Sequence, residues 1–116
     1  MNNRRVGAQK EEEVCAHLLS EGVHILERNF RCRQGEIDVI GYDGGYLVFF
    51  EVKYRKTSNK GNAAQAVGMA KQRKICRVAD YYRFLHHCAE DTPVRFDVIA
   101  VDGKQLSWIQ NAFDYQ

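Results

Sequence analysis

At 116 residues, 45% of them hydrophobic, the chain has the size of one domain, 1–116, around a single core and is too short for two. No apolar run approaches the roughly 18–20 residues that cross a bilayer, and no signal-like segment opens the sequence. A cytoplasmic protein with no membrane partner is the expectation. The net charge of +2 excludes a globally basic chain, but its distribution is uneven. Eight Lys or Arg and no Asp or Glu lie between Val52 and Ala79, and Arg28, Arg31 and Arg33 add a shorter basic run. Such stretches suit a phosphate backbone, although a solvated helix face also carries them. Cys15, Cys32, Cys76 and Cys88 form no Cys-x-x-Cys pair, which points to packing in a reducing compartment.

Residues 4–20 read as a first helix with an apolar stripe of Ala8, Val14, Cys15 and Leu18, Leu19 lying nearby. At about 100° per residue, Glu11 falls in the middle of that stripe while Glu12 and Glu13 point away. A carboxylate there is costly unless it is paired or metal-bound, or unless a frayed end lets it reach water. A rotated helix would put Glu12 in its place. Glu21-Gly22 stops the helix, and 23–32 follows as the first strand.

The turn through Arg33 leads into two strand-like runs, 36–42 and 46–55, joined by Gly44-Gly45. With those glycines as a two-residue loop, Asp43 pairs with Tyr46, Asp38 faces Glu51 and Glu36 faces Lys53. A loop at Asp43-Gly44 keeps Asp38 and Glu51 on one face as diagonal neighbours, whereas a three-residue loop separates them. Like charges side by side destabilise a sheet, so the pair calls for a partner such as a divalent cation. Lys53 shares the face of Glu51 and is suited to stabilising negative charge or helping deprotonate water. An exposed polar face with Lys53 as neutralising charge is the alternative.

Residues 54–61 form a polar loop with Arg55, Lys56 and Lys60 beside that pair. Residues 62–87 read as the long second helix, with one face of Ala64, Val67, Ile75, Val78, Tyr82 and Leu85. Lys71 lies inside that face, either snorkelling to the surface or placed for a function. After Pro93, 94–101 is a fourth strand, and 105–109, which holds the lone Trp, is a short extra strand. The expected fold class is α/β, a mixed β-sheet flanked by helices in the order α-β-β-β-α-β, with parallel pairing across the β-α-β crossover.

Asp38, a twelve-residue gap and then Glu51-Val52-Lys53 resembles the core motif of the PD-(D/E)XK nuclease superfamily. The fuller wording, Gly35-Glu36-Ile37-Asp38 with Phe49-Phe50-Glu51-Val52-Lys53-Tyr54-Arg55, is similar to the YraN family of small bacterial proteins within it. Gly7-Ala8-Gln9-Lys10-Glu11, Glu27-Arg28-Asn29-Phe30-Arg31, Ala66-Val67 with Lys71, and Arg95-Phe96-Asp97-Val98 extend the likeness over nearly the whole chain. Val14 departs from it, where Ala is common.

The resemblance implies a restriction-endonuclease-like fold and a nuclease acting on DNA, including branched or damaged forms. Glu11, Asp38 and Glu51 would bind Mg²⁺ or Mn²⁺, with the Val52 carbonyl completing the shell as in related nucleases. Asp38, Glu51 and Lys53 would be catalytic. Lys71, Arg55, Lys56, Lys60 and Arg33 would hold nucleic acid, with Glu36 and Gln65 supporting the site from outside. The rival is a non-catalytic nucleic-acid binder or adaptor on the same fold. A homodimer and a protein partner that supplies specificity both stay open.

Overall fold

A computed structural model describes the backbone of residues 3–55 and 67–116 and the side chains of 9–54 and 67–116. The elements are α1 (Asn3–Ser20), β1 (His24–Cys32), β2 (Gly35–Asp43), β3 (Tyr46–Arg55), α2 (Met69–Leu85), β4 (Val94–Asp102) and β5 (Gln105–Phe113). The five strands form one sheet in sequence order, β1 to β5. Only β3 and β4 run parallel, as the α2 crossover between them requires; the other neighbours are antiparallel.

The helices cover opposite faces of this mixed sheet. Val14, Cys15 and Leu18 of α1 pack with Val39, Val48, Phe50 and Ile99. Ile75, Val78, Ala79 and Tyr82 of α2 pack with Ile40, Phe49, Phe96 and Val98 on the other side. Strand β4, interior between β3 and β5, is therefore buried on both faces from Phe96 to Val101, where a one-faced strand would alternate. Among the described residues no helix is long and apolar enough to cross a membrane.

Gly44-Gly45 forms the two-residue hairpin loop, with Asp43 opposite Tyr46 and Gly44 at φ 62°. Gly22, at φ 91°, ends α1 in the left-handed region that glycine adopts at least cost. The structure differs from the sequence reading in three respects. Val67 and Gly68 are not helical, and α2 begins at Met69 with Gly68 extended at its N-cap, as suits a poor helix former. Residues 62–66 lie outside the described residues. Leu85 and Leu19 are exposed rather than buried, and Cys76 and Ala79 take up the apolar face of α2 instead. The last strand is nine residues long and not a short appendage. A register shift opposite Phe96/Val98, with Asn111 at φ 52°, lets β5 continue to Phe113.

Gly41 is a point of close approach between β2 and β1. A Cβ there would stand 2.7 Å from the His24 carbonyl oxygen and 3.0 Å from Val23 Cγ1. Gly41→Ala is expected to lower stability by about 1–3 kcal/mol through overpacking, read as a lower urea midpoint with unchanged slope.

Candidate active site

The even hairpin loop places Asp38 across from Glu51, but the β2–β3 ladder ends one pair earlier, at Val39 and Phe50. Beyond it, Asp38 Oδ2 accepts the Val52 backbone N–H at 2.8 Å, so a side chain takes over from the main-chain pairing. Strict alternation breaks here as well. Ile37 and Ile40 pack on the α2 side although they are three residues apart, while Val39 packs on the α1 side. Asp38 thus stands where the two strands part.

Glu51 is one of only two buried charged residues on the described chain. It shares strand parity with Leu47 and Phe49, which belong to the α2-side cluster. From α2, Lys71 Nζ approaches Glu51 Oε2 to 3.4 Å. Burial, followed by hydrogen bonding and charge from Asp38, pushes the Glu51 carboxyl up to about 8; Lys71 and Lys53 oppose the shift without cancelling it. Burial thus favours the protonated form of Glu51 at neutral pH. Lys53, two residues along β3, lies on the same side and is half-buried.

Glu11 reaches Asp38 from the other side of the sheet. It lines a cavity of about 20 Å³, room for a single water, together with Val14, Cys15, Arg28, Asp38, Val52 and Tyr54. Asn29 Nδ2 donates to Glu11 Oε2 at 3.4 Å, and Asn29 holds φ 54°. Glu12 is drawn away into an ion pair with Arg28 Nη1 at 2.7 Å, and Glu13 is exposed. The helical wheel thus ranks the three glutamates as the structure places them.

Glu11 and Glu51 approach Asp38 from opposite faces of the sheet, Glu11 from the α1 face and Glu51 from the α2 face. Among the described residues no three Asp, Glu, His or Cys side chains are gathered tightly enough to hold a metal ion. What is gathered is the Asp38–Glu51 pair. As a donor set it suits a hard cation, because two carboxylates forced together, one of them held protonated, gain from added positive charge.

Glu36 does not face Lys53, since the ladder has already ended; it pairs with Arg31 on β1, whose Nε lies 2.8 Å from Glu36 Oε2. Arg33 is exposed in the β1–β2 turn. The Arg55 side chain, Lys56, Lys60 and Gln65 lie outside the described residues. Val52 is held by its N–H on Asp38 and by its side chain in the α1-side cluster.

Sequence reasoning missed Tyr54 and Arg28, which line the Glu11–Asp38 cavity. Burial, then the charges of Glu11 and Asp38, push the Tyr54 hydroxyl up to about 12, and Lys10 Nζ lies 5.6 Å from its ring centroid. Its parity with Val52 was the available signal, because it assigns Tyr54 to the α1 side.

A compact α/β domain with paired carboxylates and lysines at the parting of two strands is the class that fold and site define. Residues 10–101 match the uncharacterised protein family UPF0102, and the chain belongs to that family, the YraN family its motifs resemble. A UPF0102 protein of Lachnoclostridium phytofermentans is 45% identical over 98% of this chain and 97% of its own length. One from Nitrosomonas eutropha is 42% identical over 97% of each chain. Among solved structures, a repair endonuclease from Pyrococcus abyssi aligns with a TM-score of 0.49 and 21% identity, over 90% of this chain and 40% of that one.

Proposed function

We propose that the protein hydrolyses phosphodiester bonds in DNA, with Mg²⁺ or Mn²⁺ held by Asp38 and Glu51. The observation that carries this reading is half-buried Asp38 set against buried Glu51, with Lys53 on the same strand face as Glu51 and Lys71 at 3.4 Å from it. A protein that only bound DNA would gain nothing from forcing two acids together among its phosphate contacts. The cation would supply positive charge against the scissile phosphate and acidify water. The Asp38 and Glu51 carboxylates would hold it, both in their ionised form.

Lys53 orients the attacking water and stabilises the pentavalent phosphorus as charge builds. In the reaction a water oxygen forms a bond to phosphorus, the P–O bond to the leaving strand breaks, and a proton ends on the leaving oxygen. Lys71 leaves Glu51 for a phosphate of the substrate, and Glu11 sits behind Asp38 across a single-water cavity. The deciding experiment is a cleavage screen over single-stranded, duplex, flap and junction DNA with each metal. Turnover that requires both metal and Asp38 supports the reading; metal-independent DNA binding without cleavage under every condition replaces it with the non-catalytic binder.

The two lysines are expected to fail differently. Lys53→Ala removes turnover while DNA affinity in Ca²⁺ stays nearly unchanged, since its role is in the transition state. Lys71→Ala weakens binding and reduces the salt slope by about one unit, as loss of one phosphate contact should. Equal losses of binding with turnover intact would reverse these assignments.

A further inference from the structure

A second cleft opens beside the carboxylate pair, between the β1–β2 turn and α2. Gln34, Gly35 and Glu36 line one side; Lys71, Lys74 and Ile75 line the other, around a volume of about 240 Å³. Lys71 belongs to both places, because its ammonium also stands 3.4 Å from Glu51. A group seated here is therefore joined to the reacting centre through one side chain.

The lining has the mixed character that a nucleotide needs. Lys71 and Lys74 are exposed amines one turn apart on the same helix face. Glu36 is the acid of the set, and Arg31 Nε at 2.8 Å already offsets its charge, which leaves the cleft positive. Ile75 is 3% exposed and adds only an apolar edge to the cleft. Gln34 Oε1 accepts from Cys32 Sγ at 3.1 Å, and among the described residues its amide N–H₂ donates to no protein atom. Gly35 lines the cleft at φ 148°, a conformation that other residues rarely adopt, and a Cβ there would stand 3.5 Å from Val78 Cγ2.

Size decides the form of the ligand. At about 240 Å³ the cleft is smaller than the roughly 300–1,000 Å³ of a drug-sized pocket and takes one small unit. A duplex cannot enter it, and the major groove alone is about 12 Å wide. We infer that the cleft between the β1–β2 turn and α2 holds one unpaired nucleotide of the substrate strand. Lys71 and Lys74 take its phosphate, and the Gln34 amide donates to the base edge. This deepens the nuclease reading and rests on it: the substrate is DNA with single-stranded character next to the scissile bond.

The test is binding of the full chain, in Ca²⁺, to one labelled oligonucleotide presented as single strand, as perfect duplex and as duplex with one unpaired nucleotide. Unpairing a base inside a perfect duplex opposes binding, so single strand and bulged duplex should bind on the order of ten-fold tighter than perfect duplex. Lys74→Ala and Gln34→Ala should each weaken single-strand binding and narrow that gap. Equal affinity for all three forms overturns the subsite alone, as does unchanged single-strand binding in both variants. Absence of binding to every form, with or without metal, overturns the nuclease reading as well.

Discussion

Asp97→Ala is expected to be the most damaging single substitution in the described chain, costing about 3–5 kcal/mol, the usual consequence of breaking a buried ion pair from one side. Asp97 is fully buried and its carboxylate gathers four donors. Arg95 binds it through Nε at 2.9 Å and Nη2 at 2.9 Å, Trp108 Nε1 donates at 2.8 Å, and the Asn111 backbone N–H donates at 2.9 Å. Removing it strands the Arg95 guanidinium, of which Asp43 Oδ2 at 2.6 Å satisfies only part, and orphans two further N–H groups. It also releases Asn111 at the point where β5 leaves strict register, so the second half of β5 should loosen. Against a total stability of roughly 5–15 kcal/mol for a domain, the variant should be marginal or unfolded at 37 °C. Asp43→Ala provides the scale, because Asp43 is a quarter exposed and supports Arg95 alone; its loss should be much smaller. Urea unfolding of both variants measures the difference. An Asp97→Ala midpoint close to that of the parent would show that the network stabilises nothing.

Asp97 pairs with Phe50, one register step from Glu51 along β3, and sequence reading recognised the network's residues only as family-like wording. The reason is physical. Arg95-Phe96-Asp97-Val98 alternates as a half-buried strand should, so Asp97 reads as an outward-facing acid. Its burial follows from β4 being interior to the sheet and covered on both faces, which depends on β5 continuing past its register shift to supply Trp108 and Asn111. That information is tertiary. The hairpin, in contrast, was legible from two glycines, since an even loop fixes every pair behind it and hence which residues oppose Asp38. The ranking of Glu11 over Glu12 and Glu13 was equally local, following from 100° steps around one helix. Which sheet face that helix covers is not written in its periodicity. For this reason the wheel turns Glu11 towards the sheet without revealing that Glu51 stands on the other face. Lys71 shows the same division: the wheel placed it within an apolar face, and only packing of α2 on β3 reveals Glu51 as the acid it meets. The start of α2 at Met69 was lost because propensity across Ala63-Ala64-Gln65-Ala66 favours helix, while the break falls at Gly68.

Glu51→Gln should abolish metal-dependent cleavage and at the same time stabilise the metal-free protein, increasingly so as pH rises. Loss of a direct carboxylate should exceed the roughly 10–100-fold penalty that follows removal of an outer-shell partner. The stability effect follows from linkage. The carboxyl of Glu51 is raised from an ordinary value of 4.5 to about 8 in the folded protein, chiefly by burial and by Asp38. Between those limits the folded state binds the proton more tightly than the unfolded chain does. Stability from this group is therefore fully present below about pH 4.5 and lost as pH rises through 8. The loss amounts to a few kcal/mol, on the order of 1.4 kcal/mol for each pH unit that separates the two values. Glutamine keeps the size and cannot ionise, so the variant lacks this slope. Near pH 4.5, in chelator, the two proteins should unfold at similar urea concentrations; at pH 9 the variant should be the more stable. Asp38→Asn should also abolish cleavage, and its retained oxygen can still accept the Val52 N–H, so the strand parting survives. Asp38→Ala removes that acceptor and should cost about 1–3 kcal/mol for the N–H left without a partner. Saturating Mg²⁺ or Mn²⁺ should reverse the order at pH 9, stabilising the parent and leaving Glu51→Gln unmoved, because only the parent offers both carboxylates to the cation. A parent whose urea midpoint does not respond to pH between 6 and 9 in chelator would show that Glu51 carries no such burden. A parent that also ignores both metals would remove the cation from Asp38 and Glu51 altogether.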